Sequence, residues 1–284
     1  MDTEHVVSLL QDLVAINSVN PAYPEGKGEA AVADYVERYC RRIGLDATRQ
    51  PVLPGRDNIV ATITVPGATG TLLYEGHMDT VGLGLMGAAG LAPEVRDGKL
   101  YGRGACDTKG SLAAMLVAFE HLLEHRADLT INATLLASVD EEYAYRGVLA
   151  YINSDLPATA AVVGEPTDLR VVVAHKGCVR GTITVTGRAA HSSEPHLGIS
   201  AIDGMADVLI ALRALGPMLA ARQHPLMSPP TLTVGTIEGG TGHNIVPEQC
   251  TIVYDRRTLP DEEPGTVLAE LDAVLDIVRE SRPD

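Results

Sequence analysis

The sequence predicts an α/β protein: a mixed central sheet with helices on both faces, plus a smaller ferredoxin-like α+β unit. Three observations carry this. In the first half, apolar residues at helical spacing alternate with short β-rich runs, the pattern of a sheet covered on both sides. The histidine and acidic motifs fall just after those runs, where open α/β sheets expose their chemistry. From residues 170–175 onward the order becomes strand, helix, strand, strand, helix, a split βαβ unit short of its final strand.

The elements follow in order. Val6, Leu9, Leu10, Leu13 and Val14 share one helical face. A second helix is expected over 30–43, with Gly44 as its C-terminal cap. Residues 58–65 read as a strand ended by Pro66-Gly67, and the apolar run 71–74 as a buried strand. After a Gly/Ala-rich loop, a helix over about 111–124 puts Leu112, Met115, Leu116 and Phe119 on one side. A β-rich run (131–139), a short helix (147–152) and a buried strand (160–163) complete the first part. The second part reads as strand 179–186, helix 200–215, strands 232–237 and 251–257, and helix 267–278. Pro229-Pro230 and Gly239-Gly240 punctuate loops rather than link domains. The expected division is residues 1–174, which hold the larger sheet, and 175–284, which hold the α+β unit.

Bulk properties narrow the function. The 22 Lys and Arg against 37 Asp and Glu give a net charge of −15, which argues against binding to nucleic acid or an anionic membrane. One Phe and no Trp argue against a platform for stacked bases. The 4 cysteines form no Cys-x-x-Cys pair and read as reduced thiols, with Cys106 a neighbour of the site rather than a ligand. The amino terminus lacks the basic start and apolar run of a signal peptide, and no run approaches the ~18 apolar residues of a membrane span. A cytoplasmic enzyme is expected.

Four motifs carry chemistry. In Gly76-His77-Met78-Asp79-Thr80, His77 and Asp79 alternate onto the same side of a strand end, so His77 can bind a metal through one ring nitrogen while Asp79 fixes the other. Asp107 follows Gly102-Arg103-Gly104 and precedes a helix; it reads either as an N-cap or as a carboxylate bridging two metals, and the glycines favour the second. Glu141 and Glu142 are adjacent carboxylates whose joint ionisation needs a cation; one can ligate while the other serves as general base. Glu165 in Gly-Glu-Pro is a turn residue or a further ligand. Imidazole plus carboxylates suit zinc.

Together these motifs resemble the co-catalytic zinc aminoacylase/carboxypeptidase family, the acetylornithine deacetylase and succinyl-diaminopimelate desuccinylase-like metallohydrolases, from near residue 5 to the last residue. The resemblance implies two divalent ions, most simply zinc, with cobalt or manganese as substitutes. His77 and Glu165 would hold one and Glu142 the other, with Asp107 bridging. Glu141 would be the general base that deprotonates the attacking water, and Asp79 would orient His77. Gly187-Arg188-Ala189-Ala190-His191 resembles the segment whose histidine reaches a partner subunit's site, so His191 is a catalytic candidate. Asn244 would donate to the scissile carbonyl or oxyanion, and Arg257 would grip a substrate carboxylate with two hydrogen bonds. The resemblance implies that residues 1–174 are a metal-binding catalytic domain and 175–284 a lid or dimerisation domain, with a homodimer through the latter and an N-acyl amino acid substrate. Glu165 in place of Asp, and the Asp-Glu-Glu-Tyr-Ala-Tyr-Arg-Gly run, resemble the deacylase branch.

Members of that family continue past the point matching Asp284. The resemblance therefore implies a chain short of the last lid strand, the return segment and a final histidine, which leaves the Glu142-side metal one ligand short. Exposed apolar sheet surface and poor solubility, or a compensating partner, are expected. The main reading is a metal-dependent amidohydrolase; the alternatives are a dipeptidase or carboxypeptidase, or a non-catalytic binding protein on the same scaffold.

Overall fold

The computed structural model describes residues 3–156 and 158–282. The chain divides into two compact units, Met1–Arg170 and Val171–Asp284. The mixed sheet and the α+β unit that the sequence predicts are both present.

In the first unit the elements are α1 (Thr3–Ala15), α2 (Ala30–Arg42), β1 (Ala47–Leu53), β2 (Arg56–Ile63), β3 (Thr71–His77), β4 (Glu94–Arg96), β5 (Lys99–Tyr101), α3 (Lys109–Glu124), β6 (Asn132–Ser138), α4 (Glu141–Ala144), α5 (Arg146–Ile152) and β7 (Ala160–Val163). The sheet order is β1-β2-β6-β3-β7. Strand β3 runs parallel to both β6 and β7, while β1 and β2 are antiparallel to their neighbours. The carboxyl ends of β3, β6 and β7 therefore open on one edge, and that edge carries His77, the 140–142 turn and Glu165.

Burial on both faces follows from alternation along β2. Ile59, Ala61 and Ile63 pack under Leu13 of α1, Val36 of α2 and Leu112, Leu116 and Phe119 of α3. Val60 turns the other way and joins Leu73, Leu136 and Tyr151 of α5. Each fully buried Leu of this kind contributes about 1.5–3 kcal/mol.

Two readings of the sequence need correction here. Strand β1 is an additional element, paired with β2 through a tight turn in which Gly55 takes φ +69°. Strand β7 is not buried: Val162 and Val163 are 46% and 55% exposed, because β7 hydrogen-bonds only to β3 and forms the edge of the sheet. An apolar tetrapeptide looks the same in sequence at an edge as at the centre.

The second unit contains β8 (Gly177–Thr186), β9 (Ala190–His191), α6 (Ala201–Ala214), α7 (Gly216–Ala220), β10 (Thr231–Gly239), β11 (Ile245–Val246), β12 (Gln249–Thr258) and α8 (Pro264–Ser281). Its antiparallel sheet has the order β10-β12-β8, the first, third and second strands of a split βαβ unit taken from the far side. Met205, Val208 and Leu212 of α6 pack with Leu271 and Val274 of α8 over Ile252 and Tyr254 of β12. Ser200 caps α6 by accepting from the Asp203 amide. On the sheet, Ile237 and Val253 are exposed.

Candidate metal centre

His77 is the last residue of β3, and its side chain is fully buried. Its Nδ1–H donates to the backbone carbonyl of Asp79 at 2.9 Å, which leaves Nε2 as the ligating nitrogen. That Nε2 lies 3.0 Å from Asp107, 3.8 Å from Glu141 and 3.8 Å from Glu165. Two groups of potential ligands share this imidazole: His77, Glu141 and Glu165, and His77, Asp107 and Glu142, each with ligand atoms within 4.8 Å of one another. The structure thus gathers His77, Asp107, Glu141, Glu142 and Glu165 at one edge of the first unit's sheet.

Asp79 behaves differently from the sequence reading. Its carboxylate is 3.6 Å from His77 Nδ1, and the closer contact to the ring is the Asp79 carbonyl. The carboxylate instead accepts from the backbone amides of Glu141 and Glu142, each at 3.1 Å, and from the Asn20 amide at 2.7 Å. Asp79 therefore splints the two glutamates directly and holds the imidazole through its main chain.

The glycines have a packing origin. Gly104 adopts φ +79°, and a Cβ there would lie 2.7 Å from Thr80. A Cβ on Gly164 would lie 2.6 Å from the Ser111 Cβ on α3. Close approach of loop to helix, together with a hydrogen bond from Thr108 Oγ1 to the Gly164 carbonyl, sets Asp107 beside Glu165.

A buried polar network beneath the 140–142 turn escaped the sequence reading. Arg56 forks onto Glu29 with two bonds of 2.6 Å and reaches Asp140 at 3.0 Å. Glu29 accepts from the Asp140 amide, and Asn20 and Arg146 also bind the Asp140 carboxylate. Asp140 itself takes φ +65°, a conformation Asp tolerates better than most residues. Replacing Arg56 with Met strands Glu29, whose side chain is fully buried, and should cost about 3–5 kcal/mol of stability. A urea-unfolding midpoint unchanged from the parent chain would refute this.

The electrostatics are those of a site built for cations. Burial, with Glu165, Asp79 and Asp107 adding to it, pushes Glu141 up to about 7. Burial, with Asp107 and Glu141 adding to it, does the same for Glu142. Burial also raises Glu165. Burial opposes the charged form of His77, but the Asp107 hydrogen bond and the charges of Asp79, Glu141 and Glu165 prevail and hold it at about 10. Asp107 is lowered by its hydrogen bond to His77. Four carboxylates around one imidazole form an excess of negative charge that divalent cations neutralise. The mixed nitrogen and oxygen donors suit zinc, cobalt or manganese.

The other sequence-predicted residues lie in the second unit. His191 pairs with Ile245 across the β9–β11 ribbon, and the Ser192 amide donates to the Asn244 carbonyl at 2.9 Å, so His191 and Asn244 are neighbours. His191 is exposed, with Nδ1 2.7 Å from the Ser193 hydroxyl. Arg257 is near the far end of β12, paired across the sheet with Cys178 and Thr231, and its Nε donates to Asp255 at 2.7 Å. At ~3.3 Å per residue it lies about 26 Å along the strand from the Gln249 end, where the ribbon sits.

Fold and site together define a metal-binding α/β hydrolase with an appended α+β unit. Residues 173–280 match the peptidase dimerisation domain of the M20 family. The acetylornithine deacetylase of Proteus mirabilis is 30% identical over 276 residues, covering 95% of this chain and 70% of that protein. The M20 family metallo-carboxypeptidase Sso-CP2 from Sulfolobus solfataricus superposes with a TM-score of 0.79 at 21% identity, covering 98% of this chain and 76% of that one. The YXEP protein of Bacillus subtilis, a dinuclear metal-binding peptidase of the M20 family, superposes with a TM-score of 0.65 at 14% identity, covering 98% and 70% of the two chains. The two structural likenesses speak for the fold; the sequence relative carries the family. This chain belongs to the M20 family of metallohydrolases, whose members cleave amide bonds. Among the described residues, no helix is long and apolar enough to cross a membrane.

Proposed function

We propose that the chain is a two-metal deacylase that hydrolyses the amide of an N-acyl amino acid, with N-acetylornithine as the type substrate. The observation that carries this is the gathering of His77, Asp107, Glu141, Glu142 and Glu165 into two overlapping groups of potential ligands, supported by the acetylornithine deacetylase relative. In this reading His77 and Glu165 would hold one ion and Glu142 the other, with Asp107 available to both. Bound there, the ions would polarise the amide carbonyl and acidify water.

The chain's own residues do the rest. Glu141 accepts the proton of the attacking water and returns it to the departing amine. Burial, with neighbouring carboxylates adding to it, pushes its affinity for that proton up to about 7, near the pH at which a general base works. Asp79 holds Glu141 and Glu142 by their backbone amides, so the base and the ligand move as one piece. His191 and Asn244 would meet the scissile carbonyl, and Arg257 the substrate carboxylate.

The separation along β12 bears on assembly. One copy of residues 175–284, the proposed lid, cannot offer both the His191–Asn244 pair and Arg257 to a single small substrate. That supports a homodimer in which the two contributions come from different copies, as does the match to a dimerisation domain.

The competing peptidase reading rests on the metallo-carboxypeptidase likeness. Zinc-loaded chain assayed on N-acetylornithine, other N-acetyl amino acids and unblocked dipeptides separates the two. Higher kcat/KM on the acetylated compounds is expected; faster cleavage of dipeptides would overturn the deacylase assignment.

A further inference from the structure

A second cluster of metal-ligating side chains lies at the opposite end of α3 from Asp107. His121 and Glu124 occupy the last turn of the helix and His125 caps it, all three exposed. One ligand atom from each lies within 4.8 Å of the others. The rings of His121 and His125 stand one helical turn apart with centroids 4.2 Å from each other, and His121 Nδ1 is 3.7 Å from the Glu124 carboxylate. We propose that His121, Glu124 and His125 form a surface binding site for a borderline divalent transition metal, Zn²⁺ or Ni²⁺, separate from the centre at His77.

The local geometry favours this over a solvated patch. Side chains four apart on a helix share a face, so the two imidazoles reach a common point without backbone movement. His125 Nδ1–H donates to the His121 backbone carbonyl at 3.0 Å, which selects the tautomer with Nε2 free to ligate. Donors around a tetrahedral zinc sit about 3.3 Å apart, so rotations of exposed side chains close the present spacing. The site lies at a helix carboxyl terminus, where the unpaired carbonyls attract a cation. The neighbouring cation, Arg126, is engaged elsewhere, donating to the Thr64 carbonyl at 2.7 Å. Two imidazoles and a single carboxylate favour zinc, nickel or copper over magnesium or calcium. Water would complete the shell, so the ion exchanges readily.

This inference does not depend on the catalytic reading, because none of the three residues touches the His77 cluster. It implies that the chain takes up a further, weaker-held metal beyond those of the main centre.

The test uses tag-free chain, loaded with zinc, desalted and then titrated with NiCl₂ by calorimetry, alongside elution from immobilised nickel. The parent chain is expected to take up one further equivalent and to require more imidazole for elution than His121→Ala/His125→Ala. The variant should bind that equivalent at least about tenfold more weakly, the low end of what losing even an outer partner costs a metal site. Its melting temperature should match the parent's, since both side chains are exposed. If the double variant does not fold, Glu124→Gln and His125→Gln are read singly for the same weakening. Equal uptake and equal retention by parent and variants would overturn the proposal.

Discussion

Replacing Glu141 with Gln is expected to cut turnover by about 10²–10⁴-fold while leaving bound metal unchanged. The amide keeps the size and the hydrogen-bonding shape of the carboxylate but cannot accept the proton of the attacking water. The readout of metal content matters because Glu141 also lies in a potential ligand group with His77 and Glu165. If Glu141 were primarily a ligand, the variant would lose an ion along with activity. If turnover survived, Glu141 would not be the base, and the reading of the chain as a binding protein would gain ground. The backbone amide of residue 141 still meets Asp79 in the variant, so the turn should hold its place.

Replacing His77 with Ala should remove the ion that His77 and Glu165 would hold, and cut turnover with it, because Nε2, the ring nitrogen left free to ligate, is lost. The same cluster fixes the proton balance of loading. In the metal-free chain His77 is protonated at neutral pH, being held at about 10, and Glu141 and Glu142 sit at about 7. Metal uptake at pH 7 must therefore release protons, seen as a calorimetric heat that varies with the ionisation enthalpy of the buffer. Stability follows the same sign. Carboxylates raised from about 4.5 to about 7 make the native state bind more protons than the unfolded chain within that window. The metal-free protein should then lose stability as pH rises from about 5 to 7, and bound metal should remove the loss. The clean window ends near 7, where buried Lys109, lowered to about 7 by desolvation, begins to act in the opposite direction. A melting temperature of the metal-free chain that is flat or rising from pH 5 to 7 would contradict the cluster's electrostatics.

The sheet, its two helical layers and the order of the α+β unit were legible because each rests on local periodicity. The four acidic and histidine motifs were legible for a related reason: each is a short run at the end of a strand or, for Asp107, at the start of a helix. What escaped lies in long-range pairing. Asn20 is 120 positions from Asp140 and Arg56 is 27 from Glu29, and neither Asn20 nor Arg56 sits in a motif. Strand β1 mixes polar residues and Pro51 into its run, as a strand with a single partner can, and so hid its own pattern. Strand β7 erred in the opposite direction, since Ala160-Ala161-Val162-Val163 is apolar enough for a core yet lies at an edge. That Asp79 holds His77 through its carbonyl, and the 141–142 turn through its carboxylate, escaped for a subtler reason. Spacing shows that two side chains face the same way, but it does not show that a carbonyl will reach the ring first.

That last feature bears on how the site can change over generations. The imidazole is steered by a main-chain oxygen, which every amino acid supplies, so sequence drift at position 79 cannot remove that support by chemistry alone. The carboxylate's other duty, tethering the loop of the base, is tied to an acidic side chain and is exposed to mutation. The two duties are thus separable by a single codon: a variant such as Asp79→Ala would keep the ligand's aim and loosen the catalyst's arm. A lineage could in this way keep an ion at His77 while loosening both glutamates of the 141–142 turn.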